Sequence, residues 1–233
     1  MLFDGSDEYV NIDSVQVALA ATTVGTWSAW VKPIDATPAA LEVLISFGDT
    51  NASTRIWLYI DTAGKLNGFC AVGGVNQWLV VTDAAAFSDN TWVHIAMVQD
   101  GTAAAPELFV NGTKPAQPNS ISTDNSLWLD TAGLDNGRIA NDSFGSSGEE
   151  RFFNGNIDEV LFINRALTQP QIADIYNSGA PKNESAIANG VSYFRMGDKG
   201  TYAGGVWTFP DQIGSNDAVS VNMEEADREL DVP

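Results

Sequence analysis

Short apolar runs separated by turn residues recur along most of this chain. They cover residues 27–32, 56–60, 66–72, 77–82, 92–98, 108–111, 138–140 and 156–163. Runs of this length, rich in β-branched and aromatic residues and bounded by turn formers, predict β-strands. Asn111-Gly112 predicts a type I′ hairpin turn, because both of its central residues need positive φ. With only one convincing helix in the pattern, the chain is predicted to be all-β, built as a sandwich.

The predicted helix follows directly after a predicted strand within residues 154–179. Thr168 can act as its N-cap, and Pro170 fits the first turn, where the missing N–H costs nothing. Gly179 can take the left-handed conformation that ends a helix. This segment is therefore expected to be a strand followed by a short capped helix.

Two consecutive carboxylates, Asp158 and Glu159, interrupt the apolar content of that strand. A half-buried sheet admits a carboxylate only on a wet face or against a cation. One of the two is therefore expected to have a partner.

Four segments resemble, in their order, the laminin-G-like domains of the concanavalin A-like lectin/glucanase superfamily. They are F-D-G-S-D-E-Y-V (3–10), W-S-A-W-V-K-P (27–33), T-W-V-H-I-A-M-V (91–98) with L-F-V-N-G (108–112), and the segment 154–179, in which G-N-I-D-E-V precedes N-R-A-L. The resemblance implies a two-sheet antiparallel jelly-roll sandwich. Because this scaffold carries lectins, adhesion modules, viral proteins and glycosidases alike, it specifies fold better than function.

The C-terminal quarter departs from that order. Residues 180–189 read as a linker, followed by an apolar strand from 190 and a D-Q-I-G-S-N-D turn at 211–217. In many laminin-G-like domains such elements precede the F-D-G strand. Either they begin a second, incomplete repeat or they return to the same sandwich, and we favour the latter because an isolated strand pair is marginal in water. The predicted organisation is a sandwich over residues 1–179, with the linker and strands of 180–233 completing it.

The C-terminal arrangement, which ends in N-M-E (222–224) and D-V-P (231–233), resembles laminin-G-like proteins of tailed bacteriophages. That resemblance implies a virion structural protein: a capsid decoration, head fibre or tail-associated module that contacts other virion proteins, forms homo-oligomers or a lattice, and can bind cell-surface glycans. The alternatives are a bacterial carbohydrate-binding or adhesion module, extracellular or at the cell surface, and thirdly a glycoside hydrolase.

Charge excludes some partners. Thirty acidic residues against eleven basic ones give a net charge of −19, which opposes binding to nucleic acid and to anionic membranes. There is no basic n-region and no long apolar run, so neither a signal peptide nor membrane insertion is expected. Cys70 is the single cysteine, which excludes an internal disulfide and predicts a buried, inert thiol.

Catalytic side chains are scarce. His94 is the only histidine, and by strand alternation it faces away from Val93 and Ile95. One His and one Cys leave almost no material for zinc sites or nucleophilic triads. The E-A-D-R-E run at 225–229 offers carboxylates at alternate positions, but in an acidic tail and without the apolar back of a buried strand. The sequence therefore predicts that the protein is not an enzyme.

Asp4 and Asp158 are the candidate metal ligands. In related jelly rolls a structural calcium ion often joins the N-terminal strand to the late G-x-I-D strand, so the resemblance implies a calcium site at these two residues. Carboxylate and carbonyl oxygens are the ligands that Ca²⁺ prefers. The alternative is that Asp4 caps a turn and Asp158 lies wet at a sheet edge.

Aromatic side chains are the other candidates for ligand binding, since sugar faces stack on flat rings. Trp27, Trp30 and Trp92 lie in or at strands and are expected in the core. The other three tryptophans considered lie closer to polar residues, but core or interface packing is favoured for them too: Trp78, Trp128 and Trp207. No ring can be assigned to a ligand from sequence.

Overall fold

The computed structural model describes residues 1–131, 133–229 and 233. Asp231 and Val232 of the C-terminal motif lie outside these residues.

The elements follow one another in a β-rich order. The strands are β1 (Leu2–Asp4), β2 (Tyr9–Asn11), β3 (Gly25–Pro33), β4 (Glu42–Gly48), β5 (Arg55–Ile60), β6 (Leu66–Val72), β7 (Val75–Val81), β8 (Val93–Gln99), β9 (Glu107–Val110), β10 (Asn119–Ser122), β11 (Asn136–Ile139), β12 (Asp142–Ser143), β13 (Glu149–Glu150), β14 (Asn154–Ile163), β15 (Gly190–Phe194), β16 (Thr201–Ala203), β17 (Val206–Phe209) and β18 (Ala218–Val221). The helices are α1 (Asp13–Leu19), α2 (Gln169–Tyr176) and α3 (Met196–Lys199), with one-turn 3-10 helices at Gly145–Ser147, Asn177–Gly179 and Glu225–Asp227.

Two large antiparallel sheets pack face to face, and β12 and β13 form a separate two-stranded sheet. The small sheet has the order β1-β14-β3-β8-β9, with β15 also paired to β14, and the large sheet has the order β10-β7-β6-β5-β4-β11-β2-β18-β17-β16. Their facing sides enclose the main core, which includes Trp27, Phe47, Trp78 and Phe162. The predicted all-β jelly roll is therefore confirmed. None of the helices in the described residues has the length and apolar character needed to cross a membrane.

The apolar runs predicted the strands well. Each of the eight predicted strands appears within two residues of its predicted ends. The prediction of a single helix was wrong, because α1 and α3 also form. The sequence reading also missed β4, in which Ser46 and the flanking Glu42 and Gly48 break the apolar run.

Local turn predictions were confirmed with one correction. Asn111 and Gly112 have φ of 48° and 75°, as a type I′ turn requires. Thr168 caps α2, and its N–H donates a 2.9 Å hydrogen bond to the Gln171 side chain. The left-handed exit falls at Asn177, with φ of 47°, two residues before Gly179. Asparagine tolerates this conformation better than most non-glycine residues.

Residues beyond 189 contribute strands to both sheets. In the small sheet β15 pairs with β14, where Phe194 lies opposite Val160. In the large sheet β18 pairs with β2, where Ser220 lies opposite Val10. The end of the F-D-G-S-D-E-Y-V segment, in β2, is therefore paired with a C-terminal strand of the same chain.

Each sheet also has a partly covered outer face. On the small sheet, Ile172 and Ile175 of α2 pack with Leu161 and Tyr193 in a second apolar cluster. On the large sheet, residues 141–151 lie over β4 and β5, where Phe144 packs against the third cluster. These two outer faces contain the sites described below.

Candidate functional site

Strand β5 presents two chemically different faces. Ile56, Leu58 and Ile60 point into the main core. Because side chains alternate along a strand, Arg55, Trp57 and Tyr59 lie on the opposite, outer face of the large sheet. Phe69 of the neighbouring β6 packs with Trp57 and Tyr59 there, outside the sandwich core.

The segment 141–151 closes over this outer face. Ser46 Oγ donates a 2.9 Å hydrogen bond to the Asn141 carbonyl, and Val43 N–H donates one of 2.9 Å to the Arg151 carbonyl. The Phe144 ring lies 5.6 Å from that of Trp57. We call the resulting group the sheet-face cluster: Arg55, Trp57, Tyr59, Phe69, Asp142, Phe144 and Arg151.

Two guanidinium groups lie against the rings of the sheet-face cluster. Arg55 Cζ is 4.6 Å from the Trp57 ring centroid and 4.1 Å from that of Phe144. Arg151 Cζ is 4.9 Å from the Trp57 ring centroid. Both lie within the range of cation–π attraction, so the rings hold two positive charges next to each other.

The two arginines differ in their partners. Arg151 Nη1 lies 3.2 Å from Asp142 Oδ2 and 2.7 Å from Glu150 Oε2. Arg55 forms no ion pair within the described residues, and its Nη1 reaches the Ser53 carbonyl only at 3.5 Å. Burial and the neighbouring Arg151 together lower the pKa of Arg55. The positive charge of Arg55 is therefore poorly compensated.

Buried donors without partners accompany that charge. Among the described residues, Arg55 Nε and Trp57 Nε1 are both buried and lack a hydrogen-bond partner. Such atoms are rare in folded proteins, because leaving a buried donor unsatisfied costs about 1–3 kcal/mol. Burial also raises the pKa of Asp142 to about 7, against the opposing effect of Arg151. The Asp142 carboxyl group, which pairs with Arg151, is therefore only partly ionised near neutral pH.

This arrangement suits a planar anion. A guanidinium offers parallel N–H donors that match a carboxylate, and such charge-assisted bonds are stronger than neutral ones. Trp57 is only 5% exposed, so a ligand meets the guanidinium edges and the neighbouring rings more than an open stacking face. The sheet-face cluster therefore combines donors suited to an anion with adjacent aromatic surface.

The predicted metal ligands lie apart. Asp4 pairs with Asn154 across β1 and β14, four residues from Asp158 along the strand, or about 13 Å. Asp158 is 3% exposed, and its Oδ1 accepts hydrogen bonds from the N–H groups of Glu159 at 2.8 Å and Met196 at 2.9 Å. The structure does not bring the two carboxylates together, and Asp158 does not lie wet at a sheet edge. In the described part of the chain, no group of three or more His, Cys, Asp or Glu side chains is arranged to hold a metal ion.

Asp4 has a different environment. Its Oδ1 accepts a 2.7 Å hydrogen bond from Ser6 N–H, so it caps a turn. It also lines an open depression of about 540 Å³ together with other acidic residues, Asp7, Glu8, Glu224 and Asp227. Burial raises the pKa of Glu8 to about 7. A calcium effect on this protein stays a prediction.

One of the two consecutive carboxylates, Asp158 and Glu159, was expected to have a partner. In the structure both have one. Glu159 accepts a hydrogen bond from the Tyr193 hydroxyl, and Arg195 Nε lies 3.3 Å from its Oε1. Both carboxylates therefore hold the C-terminal segment against β14.

His94 and Cys70 are both buried and chemically quiet. His94 Nε2 lies 2.8 Å from Ser28 Oγ on the outer side of the small sheet, away from the core side chains of Val93 and Ile95. Burial lowers its pKa to about 3, so it stays neutral at physiological pH. Cys70 is buried as predicted, and burial raises the pKa of its thiol to about 12, which favours the less reactive protonated form. The E-A-D-R-E run begins as a one-turn 3-10 helix, Glu225–Asp227, not as a strand.

Sequence reasoning predicted the buried tryptophans correctly, was wrong in expecting Trp92 in the core, and missed the sheet-face cluster. Trp92 is half-buried, with Lys32 Nζ 5.5 Å from its ring, and the other five tryptophans considered are buried: Trp27, Trp30, Trp78, Trp128 and Trp207. The missed signal was the R-x-W-x-Y alternation of β5, which puts a charge and two rings on one face. The contribution of Phe144 and Arg151 had no sequence signal, since it depends on how residues 141–151 fold back.

Comparisons with solved structures show the same fold. The sialidase carbohydrate-binding module CBM40 of Ruminococcus gnavus, bound to α2,3-sialyllactose, aligns with a TM-score of 0.60 at 16% identity over 76% of this chain and 95% of that chain. A candidate carbohydrate-binding protein from Bacteroides ovatus aligns with a TM-score of 0.63 at 18% identity over 94% of this chain and 57% of that one. A heptameric pentraxin from Limulus polyphemus aligns with a TM-score of 0.53 at 15% identity over 75% and 80% of the two chains.

At these identities the likeness extends to the fold alone. No curated protein matches the sequence. A family model described as the concanavalin A-like lectin/glucanases superfamily matches residues 4–173, well over half of the chain. This match agrees with the two-sheet jelly roll of the structure, and the chain belongs to the concanavalin A-like lectin/glucanase superfamily.

Proposed function

We propose that this chain is a non-catalytic glycan-binding module, and that the sheet-face cluster holds a sugar that carries a carboxylate. One observation carries the proposal: Arg55, half-buried against Trp57 and Phe144, forms no ion pair within the described residues, and its charge is offset only in part by the nearby Asp142. A ligand carboxylate would neutralise this guanidinium.

The ligand class follows from the mixture of charge and aromatic surface. A carboxylate alone would need only the arginines, whereas a sugar ring also presents C–H faces that pack on Phe144. The Ruminococcus gnavus module of similar fold is described as bound to sialyllactose, a glycan that ends in a carboxylate-bearing sugar. This supports the choice of an acidic glycan over a neutral one.

The carboxylate of the cluster, Asp142, and the neighbouring Glu150 favour binding over hydrolysis. A glycosidase needs two carboxyl groups that flank the glycosidic bond, one of them a general acid. Asp142 has the raised pKa of a general acid, but its side chain is 1% exposed and pairs with Arg151. Glu150 pairs with the same guanidinium. Both groups act on Arg151, which supports a non-enzymatic role.

Titration calorimetry with 3′-sialyllactose and with lactose tests the glycan proposal. We expect the wild type to bind the acidic trisaccharide and not lactose. Arg55→Met should weaken binding at least tenfold, or about 1.4 kcal/mol. Arg228→Met is the matched control, because Arg228 is an exposed arginine outside the cluster. Equal affinity of the wild type and Arg55→Met would refute the proposal.

We further propose that the module works as a bacteriophage virion structural protein, as a capsid decoration, head fibre or tail-associated module in contact with other copies or other virion proteins. The resemblance of the C-terminal arrangement to proteins of tailed phages supports this setting, and a bacterial carbohydrate-binding or adhesion module is the alternative. In a density gradient of a producing lysate, the protein should migrate with DNA-filled particles. Recovery only with cells or in the particle-free fraction would favour the alternative.

A further inference from the structure

The outer face of the large sheet continues beyond the sheet-face cluster. The strand register places Arg55 opposite Ala71 on β6, and Ala71 opposite Asn76 on β7. These three residues form one row across the sheet. Because neighbouring strands lie about 4.8 Å apart, Asn76 lies two strand spacings, or about 10 Å, from Arg55.

A second row of outward-facing residues runs beside the first. Trp57 lies opposite Phe69, and Phe69 lies opposite Leu79 on β7. Leu79 in turn lies opposite Ile121 on the edge strand β10. Trp57 and Phe69 are only 5% and 8% exposed. Leu79 and Ile121 are half-buried, so the accessible part of this apolar row lies toward β7 and β10.

On the opposite side of the cluster the sheet is covered. The neighbours of Arg55 and Trp57 on β4 are Gly48 and Ser46, and residues 141–143 lie over both. A Cβ atom on Gly48 would lie 2.0 Å from a carbonyl oxygen of that segment, and the Ser46 hydroxyl donates a hydrogen bond to another. A chain of sugars that begins at Arg55 and follows the sheet can therefore continue only toward β6 and β7.

The surface in that direction is uncharged. None of the residues that the two rows place on β6, β7 and β10 carries a charge: Ala71, Asn76, Phe69, Leu79 and Ile121. The exposed amide of Asn76 has both donors and an acceptor, which match the hydroxyl groups of a neutral sugar. The apolar side chain of Leu79 beside it can pack against the C–H groups of the ring. A second carboxylate would find no cation in these rows, so the surface suits uncharged sugars.

We propose that this face of β7 and β10 extends the proposed glycan site, takes the uncharged sugars linked to the acidic one, and uses Asn76 to select them. The inference rests on the proposed function, because it needs an acidic sugar at Arg55. A strand spacing is comparable to the length of one sugar unit in an extended oligosaccharide. With the carboxylate at Arg55, the second or third sugar unit therefore lies over Asn76 and Leu79.

Calorimetry with two ligands that share the acidic sugar tests the extension. One ligand is 3′-sialyllactose, and the other is the methyl glycoside of N-acetylneuraminic acid, which lacks the lactose unit. We expect the wild type to bind the trisaccharide about fivefold more tightly, a gain equivalent to about one net hydrogen bond. Asn76→Ala should remove this difference and keep the wild-type affinity for the methyl glycoside. Asn164→Ala should behave as the wild type does, because Asn164 is an exposed asparagine just beyond β14, outside both rows.

Saturation-transfer NMR gives a second readout that needs no variant. With the wild type and 3′-sialyllactose, protons of the lactose unit should receive transfer from the protein together with those of the acidic sugar. Transfer confined to the acidic sugar would overturn the extension, as would equal affinity for the two ligands or an Asn76→Ala variant that keeps the preference for the trisaccharide. In each of these cases the acidic sugar still binds and the proposed function stands. If neither ligand binds to the wild type, the proposed function and the extension are both wrong.

Discussion

The backbone N–H of Met196 donates a 2.9 Å hydrogen bond to Asp158 Oδ1, and this bond ties the start of α3 to the central strand β14. The neighbouring Glu159 accepts from Tyr193 on β15. Glu159 has φ of 53°, at the point where the pairing register of β14 with β3 shifts. This bulge lets two consecutive carboxylates both serve the C-terminal segment, which a regular alternating strand does not permit.

Asp158→Ala should destabilise the fold strongly. It leaves two buried backbone N–H groups without an acceptor, each costing about 1–3 kcal/mol, so the free energy of unfolding should fall by about 3 kcal/mol. Urea denaturation followed by circular dichroism measures the change. Asp7→Ala is the control, because Asp7 is exposed, and it should stay within about 0.5 kcal/mol of the wild type.

Removal of residues 180–233 should abolish cooperative folding. Tyr193, Phe194 and Met196 are buried in the full chain, and burial of each large apolar side chain is worth about 1.5–3 kcal/mol. The truncation also takes β18 away from β2 in the large sheet. Calorimetry and size exclusion should show aggregated or non-cooperative protein. A monomer that melts sharply near the full-length temperature would contradict this dependence.

The sequence predicted the fold because the local alternation of apolar and polar residues marks a strand and its two faces. The period-two pattern of β5 alone separates Ile56, Leu58 and Ile60 from Arg55 and Trp57. The sequence did not predict which distant segments meet. Asp4 and Asp158 were expected to share an ion, but a register that pairs Asp4 with Asn154 separates them. Arg151 reaches Trp57 only because residues 141–151 fold over the sheet. This depends on tertiary contacts, which no local sequence pattern indicates.

The protein should be more stable at pH 6 than at pH 8. Burial raises the pKa of several carboxyl groups to about 7: Glu8, Glu42, Asp142 and Glu159. The folded state therefore holds these protons more tightly than the unfolded chain. The resulting stabilisation is complete below the unfolded values and is lost as the pH rises through about 7. Thermal melts across this range should show a falling melting temperature.

Glu42→Gln checks the cause. A neutral side chain at this position should raise the melting temperature at pH 8 and leave it nearly unchanged at pH 5, because Glu42 is already protonated there. His94 lowers the stability at acidic pH. Burial lowers its pKa from 6.5 to about 3, so its contribution to the free energy of unfolding is lost as the pH falls below 6.5. An unchanged pH profile in Glu42→Gln would exclude this carboxyl group as a contributor.

Calcium should raise the melting temperature relative to EDTA. A ligand that binds only the native state adds about 2.7 kcal/mol at 100 times its Kd. Asp4, Asp7 and Glu8 line one open depression, whereas Asp158 Oδ1 already accepts two backbone hydrogen bonds. Asp4→Asn should therefore reduce the calcium effect and Asp158→Asn should not. If millimolar calcium does not change the melting temperature of the wild type, Asp4, Asp7 and Glu8 do not form a stabilising calcium site.

Binding of an acidic sugar should strengthen as the pH falls from 8 to 6. The ligand carboxylate has to compete with Asp142 for the guanidinium of Arg151, and burial raises the pKa of Asp142 to about 7. Protonation of Asp142 removes one of the two carboxylates that pair with Arg151, the other being Glu150, and a single group with this pKa gives at most about a tenfold gain in affinity over the interval. Asp142→Asn should bind tightly at pH 8 with a flat pH profile in calorimetry. If Asp142→Asn instead keeps the wild-type slope, the pH dependence comes from other charges, such as the net charge of −19, and not from competition at Arg151.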